Sequence, residues 1–255
     1  MQEILSMKNQ KVKDWKKLHK KKTREELGEY IIEGFHLVEE AVKAGATVEY
    51  ILFTERGKAE WQEWLVEQSE ALLVFVSDEV MKSLSDLPTP QGIAAIVRLD
   101  EVLLDKEVAG GWLLLDNVQD PGNVGTMIRT ADAAGLRGVI LGEGTADIYN
   151  QKVLRAMQGS NYHIPVIRMK IEEAISFLLE KAFSIYGTEL NKEAVRYNEL
   201  PKSQNYALVL GNEGQGVRKE ILSLTDKNAY IPIKGQAESL NVAIAAAVFM
   251  YYFES

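Results

Sequence analysis

Three short stretches of the chain hold residue types that can do chemistry. Residues 116–135, DNVQDPGNVGTMIRTADAAG, combine a carboxylate, a Pro-Gly-Asn turn and an arginine. Asn123 is placed to cap a helix that opens near Val124, and Arg129 follows about one and a half turns later. The free N–H groups and the dipole of such a helix start favour an anionic phosphate. Residues 208–217, LVLGNEGQGV, run an apolar strand into three glycines interleaved with Asn212, Glu213 and Gln215. Glycines there let backbone approach a ligand closely. Their G-x-x-G-x-G spacing is neither the dinucleotide fingerprint nor a Walker loop, which disfavours an NAD site and a P-loop. Residues 229–252, AYIPIKGQAESLNVAIAAAVFMYY, end a strand, cross a polar loop and open an alanine-rich helix at Ser239, Leu240 and Asn241. Taken singly, each stretch also fits an ordinary turn or capped helix.

Composition narrows the chemistry further. With no cysteine, disulfides, thiolate metal sites and covalent pyrimidine C5 methylation are all excluded. The three histidines, His19, His36 and His163, are dispersed, so no metal site is expected. No apolar run approaches a membrane span and the start lacks a secretory core, so a soluble cytoplasmic protein is expected. The net charge of −8 looks wrong for a nucleic-acid binder. Yet residues 8–24 hold nine Lys or Arg and one acid, Asp14. Charge at the point of contact governs phosphate binding, because counterions are released there. Trp15, Leu18 and Leu27 give this segment a sparse apolar stripe, which predicts a packed helix.

Two α/β patterns must position these loops. In the first, strands are predicted at 30–32, 50–53, 72–76 and 93–97, with helices at 35–44, 58–67 and 78–84. Residues 100–110, DEVLLDKEVAG, read as a linker. The second pattern has six apolar strands, at 112–115, 138–141, 164–167, 183–187, 207–210 and 229–233. Helices fall at 124–134, 148–157, 171–181, 217–224 and 240–253. Such a pattern predicts a mostly parallel sheet covered by helices on both faces. Ligands then sit beyond the carboxyl ends of the strands, which is where all three stretches lie.

In order and spacing, PGNVGTMIRTADAAG, LVLGNEGQGV and IPIKGQAESLNVAIAAAVFMYY resemble the three motifs of the SpoU family of RNA 2′-O-ribose methyltransferases, within the SPOUT superfamily. The segments YIIEGFHLVEEAVKAG, VEYILFTE and TPQGIAAIV are similar to an RNA-binding domain with the ribosomal protein L30e/L7Ae fold. The resemblance implies a deep C-terminal trefoil knot, which pattern reasoning alone would reject. It implies an RNA substrate-binding domain over 1–99 and a methyltransferase domain over 111–255. It also implies a homodimer joined through the methyltransferase domain. Catalytic roles carry over onto Asn123, Arg129, Glu213, Ser239 and Asn241. S-adenosyl-L-methionine, without a metal, is expected at Gly211, Ile231 and Leu240. Thr188, Glu189, Leu210, Asn212, Gly216 and Ile233 are its expected neighbours. The implied reaction is ribose 2′-O-methylation of RNA, ribosomal ahead of transfer RNA. The alternative is a non-catalytic RNA-binding or ribosome-assembly factor on the same fold.

Overall fold

The computed structural model describes residues 2–255. The chain divides into two units. One contains the chain up to Glu101 together with Tyr149–Tyr162, and the other contains Val102–Ile148 with His163–Ser255.

In the first unit β1 (Gln2–Ile4) leads to α1 (Gln10–Lys17), α2 (Lys21–Leu27), β2 (Glu29–Glu33) and α3 (Phe35–Lys43). Then come β3 (Val48–Phe53), α4 (Glu55–Val66), β4 (Leu73–Val76), α5 (Asp78–Leu84) and β5 (Ile93–Arg98). The strands lie in the order β1-β4-β3-β5-β2, with β5 antiparallel to both neighbours and the other pairs parallel. The lysine-rich start is helical, as its stripe predicts, but it is split into α1 and α2, and Leu27 at the end of α2 is exposed rather than packed. Val12, Trp15 and Leu18 are buried in a core shared with Leu52, Val74 and Met81. Each such burial stabilises by about 1.5–3 kcal/mol, which fixes the opposite face outward. Lys13, Lys16, Lys17 and Lys20 are accordingly exposed. The edge strand β1 carries no sequence signal, since three residues are too few for an alternation to register.

The second unit begins with β6 (Gly111–Asp116), α6 (Pro121–Ala134) and β7 (Gly138–Leu141). The next helix, α7 (Gln151–Met157), sits differently from the sequence pattern, because residues 149–162 are built into the first unit. Gln151 donates to the Ile31 carbonyl of β2 at 2.8 Å, and the Tyr30 and Tyr162 hydroxyls meet at 2.8 Å. After β8 (Val166–Arg168) come α8 (Ile171–Glu180), β9 (Ser184–Thr188), β10 (Val195–Arg196) and β11 (Tyr206–Gly211). The short α9 (Lys219–Leu222), β12 (Lys227–Tyr230) and α10 (Val242–Glu254) complete it.

These strands form one seven-stranded sheet in the order β10-β12-β9-β11-β6-β7-β8, parallel throughout. The expected parallel sheet is therefore present, with β10 as a seventh strand too short to be read beforehand. On one face α8 buries Ile171, Ile175 and Leu178 against Trp112, Leu114, Ile140 and Ile185. Helix α10 packs on α6 and β11. The chain leaves β6 towards β7 and β8, whereas β11 and β9 lie on its other side. That reversal opens a crevice beyond the carboxyl ends of β6 and β11, the position where such sheets bind ligands.

Candidate active site

Strands β6 and β11 run in register, so Asp116 and Gly211 are ladder partners at their last residues. Both chemical loops therefore start side by side. Asp116 is fully buried. Its carboxylate accepts the Arg218 backbone N–H at 2.9 Å and the Arg218 Nε–H at 2.8 Å, and Arg218 also reaches Glu172 at 3.1 Å. This clamp ties the far end of the glycine loop to the end of β6. It also explains why the predicted helix over 217–224 shrinks to α9. The Arg218 amide is committed to Asp116, and its ψ of 143° is extended. Sequence reading missed this pair, although an acid ending a six-residue apolar strand is a usable signal.

Asn123 is not the helix cap that its position suggested. Helix α6 starts earlier, with Pro121 in its first turn and Asp120 as N-cap, whose carboxylate accepts the Asn123 amide at 2.8 Å. Proline fits a first helical turn because its missing N–H would be unpaired there anyway. The Asn123 side chain is thereby released for the site. Its amide nitrogen donates to Glu213 at 3.0 Å, and its oxygen accepts from Asn241 at 2.9 Å. Glu213 also accepts the backbone N–H groups of Gln119 at 3.2 Å and Asp120 at 3.0 Å. Asn241 caps α10, its oxygen accepting the Ala243 amide at 2.9 Å. One hydrogen-bonded chain, Glu213–Asn123–Asn241, thus joins three loops that are far apart in sequence.

The Glu213 carboxyl titrates below the ordinary carboxylate value. Burial alone would raise it, but the Asn123 amide and the backbone N–H of Asp120 and Gln119 outweigh that. A lowered value means that the charged form is favoured in the folded site. This stabilisation is complete above about pH 4.5, the unperturbed value, and is lost as pH falls through the lowered one. Glu213 is therefore ionised at neutral pH and acts as an acceptor, not as an acid. Glu213→Gln places an NH₂ group opposite donors, leaving part of the network unpaired. We expect kcat/KM to fall by about ten- to thirtyfold with folding retained. Steady-state kinetics together with a thermal melt check this.

The glycine loop is shaped as a tight turn. Asn212 and Gly216 form a small antiparallel bridge. The Asn212 oxygen accepts the Gly214 and Gln215 amides at 3.0 and 3.1 Å, and its nitrogen donates to the Asn117 carbonyl at 3.0 Å. Gly216 has φ +71°, which favours glycine. Gly211 has no room for a side chain, as a Cβ there would lie 2.1 Å from the Gly216 carbonyl carbon.

The other expected cofactor positions lie at the end of β9, on β11 and in the loop after β12. Thr188, ending β9, donates from its hydroxyl to the Val209 carbonyl at 3.0 Å, and the Glu189 amide bonds the Ala229 carbonyl at 3.1 Å. The Glu189 carboxylate is held by Asn191. Leu210 and Gly211 are buried, and Ile231 is half-buried. Ile233 and Leu240 are each 38% exposed. Two large apolar side chains left open in a polar loop suit an apolar ring laid on them. Strand β12 ends at Tyr230, so Ile231–Ile233, expected as the end of a strand over 229–233, lies beyond it, with its peptide groups outside the ladder. These features fit a nucleoside-bearing cofactor: close backbone approach at Gly211, open peptide groups, and an apolar seat.

Arg129 and Ser239 are not drawn into the network. Both are exposed, and neither side chain makes a hydrogen bond or ion pair among the described residues. Arg129 stands on α6, the helix that carries Asn123. An exposed guanidinium with no internal partner is available to an anionic ligand.

A family model described as the SpoU rRNA Methylase family matches residues 112–251. A second, described as the MRM3-like substrate binding domain, matches residues 9–95. The chain is 47% identical over 252 residues to a 23S rRNA (guanosine(2553)-2′-O)-methyltransferase, RlmP, of Bacillus subtilis, covering 99% of each. It superposes on an AdoMet-bound rRNA methyltransferase from Sinorhizobium meliloti with a TM-score of 0.86 at 31% identity, covering 98% of this chain and 96% of that one. A SpoU methyltransferase from Streptomyces viridochromogenes, AviRb, in complex with AdoMet, matches with a TM-score of 0.88 at 25% identity and 97% coverage of each.

Proposed function

The chain belongs to the SpoU rRNA Methylase family, and from that premise we propose that it methylates a ribose 2′-hydroxyl of 23S ribosomal RNA, using S-adenosyl-L-methionine. The observation that carries this reading is the Glu213–Asn123–Asn241 chain, which assembles all three motif loops at one crevice. The guanosine named for the Bacillus subtilis relative is the site we assign, given 47% identity across 99% of both chains.

S-adenosyl-L-methionine supplies a sulfonium-activated methyl group. Gly211, the peptide groups of 231–233 and the apolar side chains of Ile233 and Leu240 would hold it. The residues then have mainly to position, since an in-line displacement needs alignment more than acid–base power. Glu213 fixes the amides of Gln119 and Asp120 and the side chain of Asn123. Asn123 and Asn241 orient the ribose, and Ser239 donates to a phosphate. Arg129 clamps the nucleotide phosphate, and its positive charge lowers the pKa of the hydroxyl, whose proton passes to solvent water as the methyl group is taken from the sulfonium. Guanidinium is a poor base at neutral pH, which favours the electrostatic role.

In this assignment the RNA is gripped by residues 1–99 and modified by residues 111–255. Lys8, Lys13, Lys16 and Lys20 make no ion pair among the described residues, whereas Lys17, Lys21 and Lys22 are paired with neighbouring acids. Four unpaired lysines on and beside an anchored helix pair suit a phosphate backbone. Changing Lys13, Lys16 and Lys20 to Gln should flatten the plot of log affinity against log salt by about two to three units. Filter binding at several salt concentrations measures it, and an unchanged slope contradicts the assignment.

We further assign a homodimer formed through α6 and α10. Ile244 and Tyr251 on α10 are each 54% exposed, on a helix otherwise rich in alanine. Light scattering that returns the monomer mass would overturn it. The deep knot is ascribed to residues 211–242, whose return from β12 to α10 beside β11 and α6 supports that path. Among the described residues no helix is long and apolar enough to cross a membrane, and we place the protein in the cytoplasm, beside its RNA. Mapping 2′-O-methyl groups in RNA from cells with and without the protein tests the whole reading. A site lost with the protein supports it, and an unchanged map contradicts it.

A further inference from the structure

Phe35, Trp61 and Trp64 form an aromatic cluster at the surface of the first unit. The Phe35 and Trp61 rings stack at 5.0 Å and 3°, and Trp64 meets Phe35 edge-on at 5.3 Å and 82°. All three are only half-buried, and nearby Val66 is 73% exposed. Of the residues of α4, only Gly57 and Leu65 are buried. The helix is kinked at Trp61, whose φ of −129° and ψ of 31° are not helical. The rings wall an open cleft of about 780 Å³.

Charge says what this cleft accepts. Its polar wall consists of Glu39, Glu60, Glu63, Glu67 and the neutral Gln62, and no lysine or arginine lines it. Glu39 is held by Lys43 and Glu60 by Arg56. The Glu63 and Glu67 carboxylates make no ion pair or hydrogen bond among the described residues. Carboxylates beside aromatic faces repel phosphate and attract cations, which gain from both the charge and the ring quadrupole. The same unit thus presents lysines on α1 and α2 and an acidic aromatic cleft at α3 and α4. RNA suits the first and is repelled by the second.

We propose that this cleft is a docking surface for a cationic protein segment rich in arginine or lysine. Its guanidinium or ammonium groups lie over Trp61 and Trp64, and its charge is met by Glu63 and Glu67. The helix α8 offers a contrast. Glu173 and Glu180 flank Phe177 there, but the chain's own Lys181 already lies over that ring, 5.7 Å from its centroid. The proposal does not depend on the methyl-transfer reading.

A fluorescein-labelled octa-arginine peptide titrated into the full-length protein at low salt tests it, read by peptide anisotropy and tryptophan emission. Trp15 and Trp112 are 3% and 4% exposed, so an emission change reports on Trp61 and Trp64. The expected result is saturable binding with an emission change, weakened about tenfold or more by Glu63→Gln with Glu67→Gln. Both carboxylates are exposed, so this variant keeps its fold. Glu173→Gln with Glu180→Gln should leave binding within about twofold of wild type. Equal weakening by the two double variants would reduce the effect to diffuse surface attraction and overturn the proposal. Binding without an emission change would overturn it too. So would an RNA oligonucleotide producing the same emission change, or self-association of the chain abolished by Glu63→Gln with Glu67→Gln, since then RNA or a second copy is the occupant.

Discussion

Replacing Arg129 with alanine is expected to lower kcat for methyl transfer by about 10²–10³-fold, the usual cost of removing one preorganised charge from a developing oxyanion. Folding and cofactor affinity should not change. The reason is structural: the Arg129 guanidinium is exposed and forms no hydrogen bond or ion pair among the described residues, so its removal leaves no partner stranded. Its contribution appears only when phosphate and ribose arrive, and an interaction of that kind acts on the transition state. Arg129→Lys should recover part of the rate by restoring charge without the planar fork. Single-turnover kinetics with saturating cofactor measure both variants, and calorimetry with S-adenosyl-L-methionine supplies the control. Wild-type turnover in Arg129→Ala would remove Arg129 from the mechanism.

Gly211→Ala should do the opposite, striking cofactor binding and stability together. Its new methyl group would lie 2.1 Å from the Gly216 carbonyl carbon and equally close to the Val217 amide nitrogen. Both neighbours are backbone, held by the Asn212–Gly216 bridge and by the Asp116–Arg218 clamp. Neither can turn aside as a flexible side chain would. Overpacking of this kind costs about 1–3 kcal/mol, occasionally more. For a protein of this size that lowers Tm by roughly 2–4 °C for each kcal/mol. Because the loop has to open to relieve the clash, we expect cofactor affinity to drop about a hundredfold or more, near 2.7 kcal/mol. Differential scanning fluorimetry and calorimetry read the two effects. An unchanged Kd would show that the close approach at Gly211 serves folding alone.

Much of this architecture was legible in the sequence. The apolar runs that became β6, β7, β9 and β11 are long enough to announce a buried parallel sheet, and the loops at their ends stand out by composition. What stayed hidden depends on distance along the chain. Glu213 contacts Asp120 across 93 positions and Asn241 contacts Asn123 across 118, and no local pattern encodes such meetings. Asn123 reads as a cap by residue type, but Asp120, with Pro121 following it in the first turn, is an equally good cap three residues earlier. Once Asp120 takes that role, the asparagine becomes part of the site. The Asp116–Arg218 clamp left only a faint trace, one acid closing an apolar strand. Arg129 and Ser239 have no internal partners, so neither periodicity nor packing marks them. Only the motif resemblance does.

The central claim is the atom that receives the methyl group. Purified protein incubated with isotopically labelled S-adenosyl-L-methionine and 23S rRNA, followed by alkaline hydrolysis, tests it most directly. A ribose 2′-O-methyl group removes the hydroxyl that attacks the neighbouring phosphate, so the label should survive in an alkali-resistant dinucleotide that yields 2′-O-methylguanosine on digestion. Label recovered on a base, or no transfer while both RNA and cofactor bind, would contradict the account.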